Sequence, residues 1–182
     1  MVYPMPLDLD YQRAAAAAVA ADNAVAATHA ALFDFARELG ELGAQVQARN
    51  APLALRVRFV RRQPPHLDAP AGVHVEDAPK EREPGFASVI LEARDLFFAV
   101  ESLPGVAVTA ATNVPALEGF AAAICGVRED VKQKPHLLAR TAAGGVGVPL
   151  MHDAGSLLEA FLNAAGDVFV ARAGFNPPPD GV

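Results

Sequence analysis

The feature that most constrains the fold is a long helix-forming run at the start of the chain, residues 8–48. It is rich in alanine, glutamate, arginine and leucine, and Asp8 or Asp10 can cap its start. Its apolar residues recur at heptad spacing, with Tyr11, Val25, Leu32, Leu39 and Val46 in one set and Ala14, Ala21, Phe35 and Leu42 at the companion positions. A continuous helix would be ~60 Å long, longer than a small domain is wide. Because Asp22-Asn23, Gly40 and Gly43 are weak points, we expect two helices, roughly 11–21 and 24–47.

This heptad seam has two interpretations. It is expected to dock on the core of the same domain, as one face of an amphipathic helix does. The alternative is a partner surface formed by the heptad face of residues 25–46, which would make the chain a protein-binding or oligomerising module. The alanine-rich half of the helix would also let another helix approach closely, which predicts a homodimer through the N-terminal helix.

The next segment, LALRVRFVRR at 53–62, alternates cleanly between apolar and charged residues. Leu53, Leu55, Val57 and Phe59 share one side, and Arg56 and Arg58 the other. Such alternation predicts a strand with one buried face. Residues 63–85, with five prolines, predict a long surface loop that contains at most a short strand, Val73–Glu76.

Residues 86–101 fit two structures equally well. They make a good helical stripe, but they also divide into two strands joined at Arg94-Asp95. Farther along, the pattern predicts a strand at 106–110 and a helix at 115–132 that is opened by Pro115. A Gly-rich link at 144–147 follows, and then a helix near 153–165 that is capped by Asp153. The chain is expected to end with a short strand near 167–172 and a frayed tail at 176–182. Together these elements predict an α+β fold. We expect a single domain across residues 1–182, with its core at about 24–175, a mixed or antiparallel sheet, and helix 29–47 packed on the sheet through Leu32, Phe35, Leu39 and Leu42.

Composition excludes several classes of function. The net charge of −6 argues against a general nucleic-acid coat, which needs clustered cations. A single cysteine, Cys125, excludes a disulfide framework, and we expect it to be buried in the 115–132 helix. No long run of large uncharged apolar residues is present, and Asp8 and Asp10 precede the Ala14–Ala21 tract, so we expect no membrane span, no signal peptide and a cytoplasmic location.

Few residue patterns point to chemistry. The five histidines are scattered without ligand spacing, so no metal site and no cofactor are expected. The Gly-rich link lacks the Lys-Ser/Thr of a phosphate-binding loop. The densest positive charge is formed by Arg56, Arg58, Arg61 and Arg62. These arginines can contact phosphates, although a solvated strand face with acidic neighbours is the favoured interpretation.

Four segments in order resemble parts of the ribosome-inactivating protein family, the plant rRNA N-glycosylases. They are LFDFAR at 32–37, SVILEARDLFFAV at 88–100, NVPALE at 113–118 and GVREDV at 126–131, followed by Leu137-Leu138. The resemblance covers roughly residues 29–140, and it implies two strands, not a helix, for residues 88–100. It also implies an enzyme that removes an adenine from a loop of large-subunit ribosomal RNA, the partner expected on this basis.

The resemblance assigns roles to individual residues. In that family the flipped adenine stacks between two tyrosines, a glutamate stabilises the oxocarbenium-like sugar, and an arginine protonates the leaving base. Phe97 and Val114 stand at the tyrosine positions, Asn113 precedes the second, and Glu159 is nearest to the acidic motif. However, Phe161-Leu162 replace the rest of that motif, Arg172 is out of register, and the chain has no tryptophan. The resemblance therefore implies an incomplete catalytic set with weak or absent activity.

Overall fold

The computed structural model describes residues 6–62, 69–83, 85–103, 107–140 and 150–174. The expectations for the Gly-rich link, the tail at 176–182 and part of the 63–85 loop therefore lie outside the described residues. The elements, in chain order, are α1 (Pro6–Arg49), β1 (Leu55–Arg61), β2 (Val73–Asp77), β3 (Ala87–Ala93), β4 (Leu96–Ser102), β5 (Val108–Thr112), α2 (Glu118–Ala123), β6 (Ile124–Glu129), β7 (Pro135–Ala139), β8 (Leu150–His152) and α3 (Ala154–Gly174).

The N-terminal run forms one helix of 44 residues, so the expectation of two helices is wrong. At ~1.5 Å per residue α1 is about 66 Å long. Asp22-Asn23 do not interrupt it, because the surrounding alanines have high helix propensity. Gly40 and Gly43 are buried within it, and Gly40 lies against the backbone of Gly72. The close packing of Gly40 against Gly72 compensates for the low helix propensity of glycine.

The second half of α1 packs on a five-stranded sheet of order β2-β1-β3-β4-β5. β1 and β2 are parallel and the other neighbours antiparallel, so the sheet is mixed and the fold is α+β, as predicted. Leu32, Phe35 and Leu39 are fully buried, and Leu42 packs partly buried against the same cluster. From Ala31 onward, the heptad face of residues 25–46 therefore packs against the core of the same molecule.

The ambiguous segment forms two antiparallel strands, β3 and β4, joined by a tight turn at Arg94-Asp95. Leu91 and Phe98 are paired and point into the core together with Val57 of β1. The strands are favoured over a helix because Val89, Leu91 and Ala93 of β3 each lie between a buried residue of β1 and a buried residue of β4.

The C-terminal third departs furthest from prediction. The expected helix at 115–132 is limited to a 3₁₀ turn at Pro115–Leu117 and the six residues of α2, and Cys125 lies half-buried on a strand. β6 instead pairs with β7, which is paired with β8, in a second antiparallel sheet. The short strand expected near 167–172 is wrong because α3 continues through it, with Phe161, Ala165 and Phe169 along one helical stripe against the core. Asp153 caps α3 as predicted, accepting the Ser156 N–H at 2.7 Å.

Candidate functional sites

Arg56 and Arg58 lie on the open face of the five-stranded sheet, opposite the helices, where the alternation of β1 places them. Arg58 donates from Nε and Nη2 to the two carboxylate oxygens of Glu76, at 2.9 and 2.7 Å, and from Nη1 to Glu92 at 2.7 Å. The Arg58 guanidinium lowers the pKa of Glu76, and the two glutamates raise the pKa of Arg58. Glu76 and Glu92 also contact Arg56, so both arginines are matched by carboxylates within the sheet.

The other two arginines lie elsewhere. Arg62 donates from Nε to the carbonyl of Arg82 at 3.0 Å. Arg61 is only 6% exposed and follows Leu55, Val57 and Phe59 on the side of β1 that faces α1. The four arginines therefore do not form one basic patch. The burial of Arg61 was predictable from the sequence, because the alternation that places Leu55, Val57 and Phe59 on the buried face continues to Arg61.

Phe97 and Asn113 lie together at the end of the β3–β4 hairpin. The side chain of Asn113 accepts the N–H of Phe97 at 2.8 Å and donates to the carbonyl of Asp95 at 2.6 Å. Phe97 is half-buried on the open face, in a shallow depression of about 340 Å³ shared with Arg58 and Glu92. Val114 is fully buried and belongs to the core. Asn113 thus fixes the hairpin end, and of the two residues at the tyrosine positions only Phe97 has exposed surface.

Glu159 is exposed on α3, in a groove of about 490 Å³ between α1 and α3. Leu42, Val46, Leu158 and Leu162 line the groove, with polar side chains at its rim. This groove belongs to the helical layer, whereas Phe97 lies on the open face of the sheet. The fold therefore does not bring Glu159 and Phe97 into one cleft.

Arg172, near the end of α3, forms a two-pronged ion pair with Asp95 in the β3–β4 turn, at 2.9 and 2.8 Å. This pair lowers the pKa of Asp95. The guanidinium groups of Arg172 and Arg94 both lie over the ring of Phe169. Arg172 therefore attaches α3 to the hairpin, a contact between residues 77 positions apart that no local pattern indicates.

The first half of α1 extends away from the domain. We call residues 10–23 the projecting segment, because each of them is exposed, whereas burial begins farther along the helix. Seven of these fourteen residues are alanine, and Tyr11 and Val19 are 71% and 58% exposed. In the described chain, this is the one stretch of helix several turns long without contact to the core.

Two helices are long and apolar enough to cross a membrane by length and composition, one within α1 and one at α3. α3 buries Leu157, Phe161 and Ala165 in the core, and the second half of α1 is docked on the sheet. Length and composition alone are weak evidence for a membrane span, so the expectation that none exists stays a prediction. Within the described residues, no group of three histidine, cysteine or acidic side chains is placed to hold a metal ion.

Compared with known proteins, the chain matches no protein-family model, no curated protein and no solved structure. The resemblance to ribosome-inactivating proteins therefore stays a prediction from the sequence.

Proposed function

We propose that this chain is an acidic, non-enzymatic association module whose projecting segment pairs with the same segment of a second copy. The observation that supports this proposal is the complete exposure of residues 10–23 in a helix that is otherwise docked on the domain. Relative to the sequence expectation, the partner surface moves from residues 25–46 to the projecting segment.

The projecting segment is a preformed element. An isolated helix of fourteen residues is marginal in water because nucleation is costly. Here the docked half of α1 supplies the nucleus, and the alanines of residues 14–21 extend it at low cost. A partner would therefore meet an ordered helix and lose little conformational entropy on binding.

The seam indicates a second helix as the partner and a second copy as its source. Tyr11, Ala14, Ala18 and Ala21 continue, on the projecting segment, the heptad positions that Leu32, Phe35 and Leu39 occupy in the core. The charged residues of the segment, Asp10, Arg13 and Asp22, lie off this line, so two copies can approach without burying a charge. Alanine also permits a short distance between helix axes.

The expected complex is weak. Fourteen residues span only about 21 Å of helix, and two such segments bury less than the ~1,000 Å² typical of a stable interface. We expect a dimer whose population rises with protein concentration, without an obligate assembly.

Light scattering coupled to size-exclusion chromatography, over a wide range of protein concentration, tests this proposal. Ala18→Glu places a charge on the seam and is expected to shift the protein toward monomer. Ala16→Glu, on the opposite side of the same helix, is the matched control and is expected to leave the dimer unchanged. A wild-type chain that stays monomeric at the highest concentration would refute the proposal, as would equal loss of dimer in both variants.

An rRNA N-glycosylase lineage is the second candidate. The observation that favours it is the antiparallel pairing of β3 and β4 across Arg94-Asp95, which the resemblance implies for residues 88–100. The separation of Glu159 from Phe97 and the burial of Val114 both count against an assembled active site. We therefore rank this function second and expect weak or absent activity.

A further inference from the structure

Arg61 is a buried cation whose donors are incompletely paired. Its side chain lies on the α1 side of the sheet, in register with Asp77 of β2 and Ala87 of β3. Its Nε and Nη1 atoms are buried, and neither has a hydrogen-bond partner among the residues that the structure describes. Asp77 is the partner of Arg61 in register on β2, but it accepts no hydrogen bond from Arg61 Nε or Nη1.

Among the residues that the structure describes, no carboxylate is paired with this charge. His29 of α1 packs edge-on against Phe59, and burial together with the charge of Arg61 lowers the pKa of His29, so its imidazole is neutral at pH 7. A guanidinium stays protonated at any physiological pH. A buried charge without a counter-ion is strongly destabilising, and unsatisfied buried donors are rare in folded proteins.

We propose that Arg61 is the centre of a binding site for a small oxyanion, a carboxylate or phosphate group, at the His29 end of the interface between α1 and the sheet. The planar guanidinium presents N–H donors in a geometry that matches these anions. The anion would supply both the missing counter-charge and the missing acceptors.

The charges near this site favour a singly charged ligand. A cavity of about 220 Å³ lies at this end of the sheet, lined by Val25 and Thr28 of α1 and by Gly85, Phe86 and Ser102. Glu81, Glu83, Glu101 and Arg82 are also part of its lining, whereas Arg61 is not. The three carboxylates outnumber the one guanidinium of this lining, and the resulting negative charge repels a doubly charged anion more strongly than a singly charged one. We therefore expect carboxylates to bind more tightly than phosphate near pH 7.

Thermal unfolding of the full chain in acetate, phosphate and chloride at equal ionic strength tests this inference. A ligand that binds only the folded state raises the unfolding midpoint steadily once its concentration exceeds its dissociation constant. We expect acetate to raise the midpoint above that in chloride, and phosphate to raise it less. A progressive shift of the Arg61 Nε–H resonance on titration with acetate provides a second measurement, which needs no variant.

Arg61→Met removes the charge at similar volume and is expected to abolish the anion-dependent rise, while remaining folded in chloride. Arg62→Met is the matched control and is expected to keep the full rise. If wild type shows no anion-dependent rise and no resonance shift, or if both variants respond as wild type does, Arg61 is not an anion site. Strong thermodynamic coupling between Arg61 and Asp77 without any anion effect would also overturn the inference and assign Asp77 as the counter-ion.

Discussion

Arg58 lies between two glutamates that belong to the strands on either side of it. The pairs with Glu76 and Glu92 join residues 18 and 34 positions apart, with charge-assisted hydrogen bonds of 2.7–2.9 Å. From the sequence, the outward direction of Arg58 was predictable, because strand parity requires it. Its partners were not, because they depend on the register of β1 with β2 and β3.

His29 predicts a pH dependence of stability. Burial and the charge of Arg61 lower its folded-state pKa below the ordinary value of 6.5. Well above pH 6.5 the imidazole of His29 is neutral in both the folded and the unfolded state. As the pH falls below 6.5, the unfolded state binds the proton first, because its pKa is the higher of the two. Stability is therefore lost as the pH falls below about 6.5, by at most ~1.4 kcal/mol per pH unit for one group.

Chemical denaturation between pH 7.5 and pH 5 measures this effect, at about one-half unit intervals across the relevant window. His29→Phe keeps an aromatic ring against Phe59 and removes the titrating group, so its stability is expected to change less over this range. An unchanged slope in the variant would show that another group is responsible.

At the scale of elements, α1 combines two roles along one helix. Its second half is docked through Leu32, Phe35 and Leu39, and its first half carries the same heptad pattern without a core to cover it. The two glycines that suggested a break have different environments. A Cβ on Gly40 would collide with Val73 and with the carbonyl of Gly72, whereas a Cβ on Gly43 would meet Val57 and Leu55 at 3.6 and 3.8 Å.

Gly40→Ala and Gly43→Ala therefore form a matched pair with opposite expected results. Alanine in a helix interior gains about 1 kcal/mol over glycine. At Gly43 that gain is expected to appear as higher stability, because the new contacts are of ordinary length. At Gly40 the new Cβ would collide with Cγ2 of Val73 and press against the carbonyl oxygen of Gly72 at 3.0 Å, and overpacking of about 1–3 kcal/mol is expected to exceed the gain. The unfolding free energies of both variants, from urea denaturation, check this prediction, and equal stabilisation of both would contradict it.

For the whole molecule, the fold was predictable where a segment buries one clear face. The alternation of residues 53–59 and the apolar stripe of residues 29–47 predicted β1 and the docked half of α1. Residues 86–101 fitted both periodicities, and pairing with β1 makes them strands. Residues 124–139 were missed because β6 and β7 are short, β6 is mostly half-buried or exposed, and each strand depends on the other for its hydrogen bonds. Of the candidate sites, the sequence predicted the outward direction of Arg56 and Arg58 and favoured acidic neighbours for them, but it did not identify Glu76 and Glu92 as those neighbours.

The last prediction concerns ribosomes. A glycosylase of the resembled kind needs an aromatic platform and a carboxylate in one cleft, because base stacking holds the adenine while the carboxylate stabilises the sugar. In this chain Phe97 lies on the open sheet face, Val114 is buried, and Glu159 lies in the α1–α3 groove. We expect the purified protein to release no adenine from ribosomes above the level of a heat-killed sample.

Glu159→Ala and Phe97→Tyr are expected to leave that background unchanged, because neither substitution brings the two side chains together. An active ribosome-inactivating protein on the same ribosomes is the positive control. Robust release that depends on Glu159 would mean that the substrate reorganises the α1–α3 groove, and it would make the glycosylase function the leading one.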